Sequence, residues 1–409
     1  MRFREIVAEA TQEGKNTHLE HIEDLVFLQG KSGVQSALEY INSVREMLDN
    51  GGTANSAVTV KWDGAPAVIT GIDPEDGKFF VAKKGAFNKT PKLYKTNQDI
   101  DSDISSEGLN SKMKIALNEL SKLGIKGILQ GDLMWTSEDL STADIDGVES
   151  WVFQPNTIAY AVPKDSPLGK QIGASKIGIV FHTTYTGNSI PELQAQFGAD
   201  VSELNKTSSV WVDDATYKDL SGQATLTQQE NRKMLQGMNA VAKAMTTADF
   251  TAVNNKDYNA LFMQYVNARI KQGNTQIDEP NQFAQDFVDW YNQYITTDMA
   301  KLKNQDPEAP AIKNRRAKIE AQNQFVNDNM DGIVGALTVY KDIIALKNML
   351  INKLNKVDSI KSLLRTEKGY TVTNPEGYVA IGQSSGAVKL VDRMEFSKNN
   401  FNAVKNWSK

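Results

Sequence analysis

Apolar residues at three- and four-residue spacing mark two parts of the chain. The first pattern runs from Ile22 to Leu48, and the second fills a long stretch beginning near residue 225. Apolar residues that recur with this period line one face of a helix. We therefore predict N-terminal helices that stop at the glycines of residues 50–52, and a helical domain over residues 225–365. Two prolines among polar residues predict a loop between helices at residues 304–310.

Shorter runs of β-branched and aromatic residues occupy most of the remaining chain. Residues 57–70 and 78–83 flank a turn-forming segment with Pro74 and Gly77, which predicts a hairpin. Other strand-like runs are 125–134, 150–162, 177–184, 370–372, 378–381 and 388–391, and a helix at 111–123 ends at Gly124. Because β character both precedes and follows the helical stretch, we predict an α+β fold. We predict that residues 1–224 and 366–409 form the α+β domain and that the helical domain is inserted into it.

Composition excludes several kinds of chemistry. The chain of 409 residues contains no cysteine, so disulfides, thiolate metal sites and a cysteine nucleophile are excluded. The three histidines are His18, His21 and His182. The first two could hold a metal, but a helix cap involving Thr17 and Glu20 is the better interpretation. With no apolar run near 18 residues and a charged, polar start, we expect a cytoplasmic protein that does not span a membrane.

Charge is distributed unevenly along the chain. The net charge is −5, which gives no general attraction to nucleic acid. The first 224 residues carry about −10 and the rest about +5. The last helix of the helical domain is predicted to present a basic face that could bind a nucleic-acid backbone, formed by Lys353, Lys356, Lys361 and Arg365. The alternative is that these residues are an ordinary solvated helix face.

The run Lys61-Trp62-Asp63-Gly64 follows the β-rich residues 58–60 and has the form K-x-D-G. A lysine amine can attack the α-phosphate of a nucleoside triphosphate when it is deprotonated and held in line with the leaving pyrophosphate. A strand end would hold Lys61 in a cleft, Asp63 could orient the amine or the ribose, and Gly64 would let the backbone pass closely under a nucleotide. Taken alone, the match also fits a lysine beside a surface turn.

Further motifs follow Lys61 in a defined order. They are Lys83-Lys84-Gly85, Gly131-Asp132-Leu133, the strand 177–181 ending in Phe181, Pro375-Glu376-Gly377 and Val388-Lys389-Leu390. This order resembles the core motifs of the covalent nucleotidyltransferase superfamily, which includes ATP-dependent DNA and RNA ligases and RNA-capping enzymes. The resemblance implies an antiparallel-sheet nucleotidyltransferase core and an AMP group carried on a lysine.

The resemblance also implies a role for each matching residue. Lys61 is the nucleophile that takes AMP from ATP, with Asp63 and Lys389 as further catalytic residues. Gly64 and Lys84 bind the nucleotide with Lys61 and Lys389, and the two additional lysines neutralise the α-phosphate. Asp132 and Glu376 hold Mg²⁺ or bind the ribose, and Phe181 stacks on the purine. Taken singly, Phe181 could instead be a core aromatic, Asp132 a turn cap and Lys389 a solvated charge.

The sequence departs from the superfamily pattern in informative places. Asp132 replaces a usual glutamate, and Val391 stands where a second lysine is common, so Arg393 is a candidate substitute. Pro66 replaces the arginine of DNA ligases. The tail of about 18 residues after the last motif is too short for the OB domain of DNA ligases and capping enzymes. The chain is therefore most similar in character to bacteriophage-type RNA ligases, which would place it in a host cytoplasm.

Three functions remain open at this point. The first is an ATP-dependent polynucleotide ligase, with RNA favoured over DNA, that joins a 5′-phosphate to a 3′-hydroxyl. The second is a GTP-dependent capping-type transferase. The third is a non-catalytic nucleotide-binding or interaction protein on the same fold, which the changes at Asp132 and Val391 leave possible.

Overall fold

The computed structural model describes residues 19–49, 58–215, 225–356, 360–366, 369–381 and 386–396. Its helices are α1 Leu25–Asp49, α2 Asn97–Asp103, α3 Glu107–Leu120, α4 Pro167–Ala174, α5 Gln228–Thr247, α6 Asn259–Lys271, α7 Pro280–Ala300, α8 Pro310–Asp328 and α9 Met330–Leu354. Its strands are β1 Val58–Lys61, β2 Ala67–Ile72, β3 Phe79–Ala82, β4 Ile128–Thr136, β5 Ser141–Ile145, β6 Val148–Phe153, β7 Ile158–Pro163, β8 Ile177–Thr186, β9 Gln194–Phe197, β10 Val210–Asp214, β11 Lys361–Thr366, β12 Gly369–Thr373, β13 Gly377–Ile381 and β14 Ala387–Leu390. The predicted α+β class is confirmed.

The largest sheet has the order β10-β8-β4-β2-β3, with β9 also paired to β8. The pairs are antiparallel except β8 with β10. The predicted hairpin corresponds to β2 and β3, joined by a turn in which Gly77 has φ +71°. Apolar side chains of α2 and α3, such as Ile100 and Met113, cover one face of this sheet. α3 continues into one 3-10 turn and ends at Gly124, whose φ of +68° suits glycine.

Two smaller antiparallel sheets flank the largest one. One has the order β12-β11-β7-β6-β5. The other has the order β1-β13-β14 and joins a strand near the start of the chain to two strands near its end. β1 is therefore not part of the predicted hairpin and pairs instead with residues more than 300 positions away in the sequence. This three-stranded sheet positions the site described below.

The helices α5 to α9 share one hydrophobic core with α1. Phe27 of α1 stacks on Phe262 of α6 with ring centroids 5.7 Å apart and contacts Tyr340 of α9 at 4.7 Å. α1 is interrupted at Gly30, whose φ is +58° and whose missing side chain makes room for Asn254. The helical character predicted for residues 225–365 holds as far as α9, but β11 already begins at Lys361 and pairs with β7.

The first 18 residues and the glycines at which the N-terminal helices were predicted to stop lie outside the described residues. The loop predicted at 304–310 lies between α7 and α8, which begins at Pro310. The division into a sheet domain and an inserted helical domain stays a prediction, since α1 packs with the helices rather than with the large sheet.

Candidate active site

The three-stranded sheet brings Lys61, Glu376 and Lys389 together. Lys61 lies opposite Gly377 in the pairing of β1 with β13, and Lys389 of β14 lies opposite Val379. The Lys61 ammonium donates a hydrogen bond to Glu376 Oε1. Antiparallel pairing therefore places side chains from three distant parts of the sequence on one surface.

This surface is one wall of a cavity of about 310 Å³ whose opposite wall is formed by the large sheet. The side chains important for its chemistry are Lys61, Lys84, Asp132, His182, Phe197 and Lys389. Four of these were candidates from the sequence: Lys61, Lys84, Asp132 and Lys389. Three ammonium groups around one cavity favour a ligand with several negative charges, such as a polyphosphate.

Burial changes the ionisation of two groups beside Lys61. Burial raises the pKa of Glu376 to about 7, although the Lys61 ammonium acts in the opposite direction. Burial and the nearby Lys61 ammonium lower the pKa of Lys389. Glu376 Oε2 is buried and has no hydrogen-bond partner among the described residues. Glu376 nevertheless does not line the large cavity but a separate one of about 10 Å³, so its predicted roles in binding the nucleotide and Mg²⁺ stay predictions.

Asp63 does not line the cavity, and its predicted catalytic role stays a prediction. Its carboxylate is buried and accepts hydrogen bonds from Asn156 Nδ2 and from the backbone N–H groups of Thr157 and Ile158, each at 2.7 Å. The Asp63 N–H donates to the hydroxyl of Tyr160 at 2.8 Å. A carboxylate that already accepts these bonds anchors the loop before β7 to the end of β1, so Asp63 is a positioning residue.

Gly64 also has a different role from the one predicted. A Cβ at this position would lie 2.4 Å from Asp132 Cβ and 3.1 Å from Met134 Sδ. The adjacent chain is tied to β4, because Ala65 N–H donates to Leu133 O and Leu133 N–H donates to Pro66 O. Gly64 is therefore required for the close approach of the Lys61 segment to Asp132 and does not line the cavity.

Phe181 was predicted to stack on a base, and the structure contradicts this. Its side chain is 0% exposed and packs in the core between the large sheet and α2 and α3. The pairing of β8 with β4 shifts register between Gln130 and Gly131, which leaves His182 as the extra residue of a bulge facing the cavity. His182 Nε2 lies 3.7 Å from Asp132 Oδ1.

Phe197 is a cavity residue that the sequence reasoning missed. It ends the short edge strand β9 and is half-buried. The polar–apolar alternation of residues 194–197 was the available signal, but four residues give weak evidence for a strand. Phe197 offers the apolar ring face that had been assigned to Phe181.

The predicted basic face of the last helix is not present. α9 ends at Leu354, so only Lys353 of the four residues belongs to it and Lys356 follows its end. Lys353 is buried and its ammonium lies 2.8 Å from Glu230, while Lys356 lies 3.9 Å from the same carboxylate. These pairs neutralise the charge that the prediction required.

The other two residues of that prediction lie in a sheet. Lys361 begins β11 and pairs with Asp146 at 2.8 Å. Arg365 is exposed near the other end of the same strand. The four side chains therefore do not form one helix face that could follow a phosphate backbone.

Arg393 was a candidate substitute for the missing lysine, but its guanidinium is buried away from the cavity. It donates to Asp24 at 3.0 and 3.2 Å and to Asn267 at 2.6 Å. Beside it, Lys347 of α9 donates to Glu23 at 2.8 Å, and both side chains are almost completely buried. This buried charge cluster links α9 to the segment before α1. The same segment meets the cavity, because Lys389 N–H donates to Glu20 O at 2.8 Å.

No helix in the described ranges combines the length and apolar character needed to cross a membrane. In those same ranges, no three histidine or carboxylate side chains are grouped closely enough to hold a metal by themselves. The alternative metal site at His18 and His21 falls partly outside the described residues. His21 is half-buried, its buried Nδ1 has no hydrogen-bond partner among the described residues, and its side chain makes no helix-cap hydrogen bond. Burial, followed by the nearby Arg393 guanidinium, lowers the pKa of His21.

The fold and the cavity together define an α+β protein with a lysine-rich, anion-favouring site between two sheets. Residues 16–405 match the model of a family of unknown function, DUF6267, and the chain belongs to that family. Comparisons with curated proteins and with solved structures gave no match.

Proposed function

We propose that the protein is an ATP-dependent polynucleotide ligase, acting on RNA in preference to DNA, that carries AMP on Lys61. One observation supports this proposal above all. Lys61, Lys84, Asp132 and Lys389 occur in the superfamily's motif order and converge on one cavity, although they are spread from β1 to β14. If the K-x-D-G sequence were a chance match, Lys61 would not be expected to share a cavity with these partner residues.

The first step is nucleophilic displacement at the α-phosphorus of ATP. The Lys61 amine donates its electron pair to phosphorus, an N–P bond forms, and the bond to the bridging oxygen breaks so that pyrophosphate leaves with that electron pair. The proton of Lys61 passes to Glu376, whose carboxylate it already contacts. A carboxyl group with a pKa of about 7 is suited to accept a proton near neutral pH.

Lys84 and Lys389 line the same cavity and would neutralise the oxygens of the α-phosphate as charge moves to pyrophosphate. Asp132, which lines the cavity, would hold a Mg²⁺ that completes its coordination with phosphate oxygens and water, whereas Glu376 does not line this cavity. Such an ion would supply further charge neutralisation. In the following steps the 5′-phosphate of a polynucleotide displaces Lys61 from AMP, and a 3′-hydroxyl then displaces AMP to form the phosphodiester.

The test is covalent labelling with α-labelled ATP and Mg²⁺. We expect a label on the wild-type protein, none on Lys61→Ala or Lys61→Arg, and a normal label on Lys206→Ala, which removes an exposed lysine. Lys61→Arg is the sharper variant, since it keeps a cation beside Glu376 but has a guanidinium that stays protonated. A label only with GTP would establish the capping-type alternative, and no label with either nucleotide would refute the proposal in favour of a non-catalytic protein.

The preference for RNA is tested separately with 5′-phosphorylated RNA and DNA oligonucleotides, each with and without a complementary splint. Joining of RNA at a higher rate than DNA supports the proposal. Faster joining of DNA would overturn the substrate assignment while leaving the Lys61 chemistry intact.

A further inference from the structure

A short segment beside the cavity carries positive charge in an otherwise acidic half of the chain. Residues 78–98 contain six lysines and no aspartate or glutamate. We call residues 83–92 within this segment the lysine loop. It begins at Lys83, passes through the 3-10 helix Lys84–Phe87 and continues to Lys92.

Half of the six lysines are neutralised by carboxylates. Lys78 lies 4.0 Å from Asp76, Lys92 pairs with Asp103, and Lys95 lies 2.6 Å from Asp73 and 2.8 Å from Asp76. Lys83, Lys84 and Lys89 have no ion pair with any described residue, and Lys84 and Lys89 are exposed. Three ammonium groups without an ion pair therefore lie on one short loop, and of these Lys83 is also near enough to Asp103 to interact with it electrostatically. The helical lysines considered above differ, because their carboxylate partners are already in place.

Backbone and ring contacts hold this loop in one conformation. Val81 and Tyr94 close its base with two backbone hydrogen bonds of 3.0 and 2.9 Å. Lys92 N–H donates to Gly85 O at 3.0 Å across the loop. Phe87 packs on Tyr185, with ring centroids 5.2 Å apart. Because these contacts brace the backbone, we expect that ordering the lysines on binding costs less entropy.

The loop is continuous with the cavity. Lys84 lines the cavity, and so does Tyr185, against which the loop packs. A polynucleotide whose 5′-phosphate approaches Lys61 must carry its next phosphates out over the cavity rim. Phosphodiester groups are singly charged and repeat along the chain, so they match several separate ammonium groups on one loop.

We infer that the lysine loop is the docking surface for the phosphodiester backbone of the polynucleotide whose 5′ end enters the cavity. The inference rests on the proposed function and moves the nucleic-acid contact from the helical domain to Lys83, Lys84 and Lys89. It requires no movement of the helices.

The experiment compares two double variants that remove the same charge from the same segment. Lys83→Gln with Lys89→Gln removes unpaired lysines, and Lys78→Gln with Lys92→Gln removes paired ones. Neither pair lines the cavity. Binding of a fluorescein-labelled, 5′-phosphorylated single-stranded RNA is measured by anisotropy from about 50 to 200 mM salt, where counterion release makes affinity salt-dependent.

We expect the first variant to bind roughly tenfold more weakly and to lose about 1.4 from the slope of log affinity against log salt, since each single-strand phosphate contact contributes about 0.7. The matched control should keep a slope close to that of the wild-type protein. Equal losses in both variants would show that overall charge alone matters and would overturn the docking surface. An unchanged slope in the first variant, or no RNA binding by the wild-type protein, would overturn it too.

Labelling with ATP separates this inference from the proposed function. If the salt slope depends on the lysine loop but no ATP label forms, the docking surface is supported and the ligase chemistry is refuted. If the ATP label forms but the salt slope does not depend on the loop, the ligase chemistry is supported and the docking surface is refuted. Both double variants should take the label at the wild-type rate, which also shows that they are folded.

Discussion

Substitution of Asp63 separates its anchoring role from the catalytic role that its place in K-x-D-G suggests. In the structure, its carboxylate accepts three hydrogen bonds from residues 156–158. In Asp63→Asn, the amide oxygen can keep the two backbone bonds, and the amide of Asn156 can rotate to restore the third. What is lost is the charge on the acceptor, which changes bonds worth about 1.5–3 kcal/mol into bonds worth about 0.5–1.5 kcal/mol. The expected loss of unfolding free energy is about 3 kcal/mol.

The assay is urea unfolding followed by tryptophan fluorescence, together with ATP labelling of the fraction that remains folded. Asp63→Ala should cost more, about 5 kcal/mol, because two buried N–H groups lose their acceptor. Asn156→Ala is the control and should cost about 2 kcal/mol, since it removes one bond. The reasoning is refuted if Asp63→Asn unfolds at the wild-type urea concentration while its labelling disappears, because that result requires a direct role at the reacting groups.

Three further outcomes are expected. Gly64→Ala should lower the rate of ATP labelling more than about tenfold while the protein remains folded, because the added Cβ would displace Asp132. A labelling rate equal to that of the wild-type protein would contradict the close contact between Gly64 and Asp132. Glu376 should make stability depend on pH. Because burial raises its pKa from 4.5 to about 7, the stability it contributes is fully present below 4.5, is lost as pH rises to about 7 and is then constant, a change of roughly 3 kcal/mol. Urea unfolding from about pH 5 to about pH 8 should show this fall relative to Glu376→Gln, and parallel curves would count against it. Lys347→Met leaves the buried Glu23 carboxylate without its closest cation and should cost about 3–5 kcal/mol in urea unfolding; adding Glu23→Gln should restore most of this loss.

Local signals were sufficient for the elements that depend on neighbouring residues. The hairpin of β2 and β3 follows from the turn residues between them, and the end of α3 follows from Gly124, which adopts a left-handed conformation. The motifs also named Lys61, Lys84, Asp132 and Lys389, which line one cavity, while the roles given to them stay predictions.

The choice of face in β8 could not be read from its own residues. Strict alternation fits either Phe181 or His182 as the residue facing the cavity. A bulge opposite Gln130 and Gly131 of β4 sets which side chain emerges, and its position depends on pairing with a strand about 50 residues away. A one-residue change of register exchanges the two faces of a strand, so an otherwise correct strand prediction selected the wrong side chain.

The charges of the helical domain were misjudged for a similar reason. The excess of lysine near its end is real, but Lys353 meets Glu230, which is more than 100 residues away in the sequence. The last helix was also predicted to be too long, because its pattern was extended through residue 365 whereas β11 begins at Lys361. Counting lysines and carboxylates in the sequence gives the net charge of a segment, but the fold determines which of these charges remain unpaired.

The sheet of β1, β13 and β14 makes the order of synthesis important. Lys61 emerges from the ribosome early, whereas Glu376 and Lys389 are added only when the chain is almost complete. Every pairing of β1 with β13 spans more than 300 residues, and such long-range pairings form slowly. A nascent chain, or one cut before Glu376, contains Lys61 but lacks both its carboxylate partner and the last lysine of the cavity. The chemistry proposed for Lys61 is thereby restricted to finished molecules.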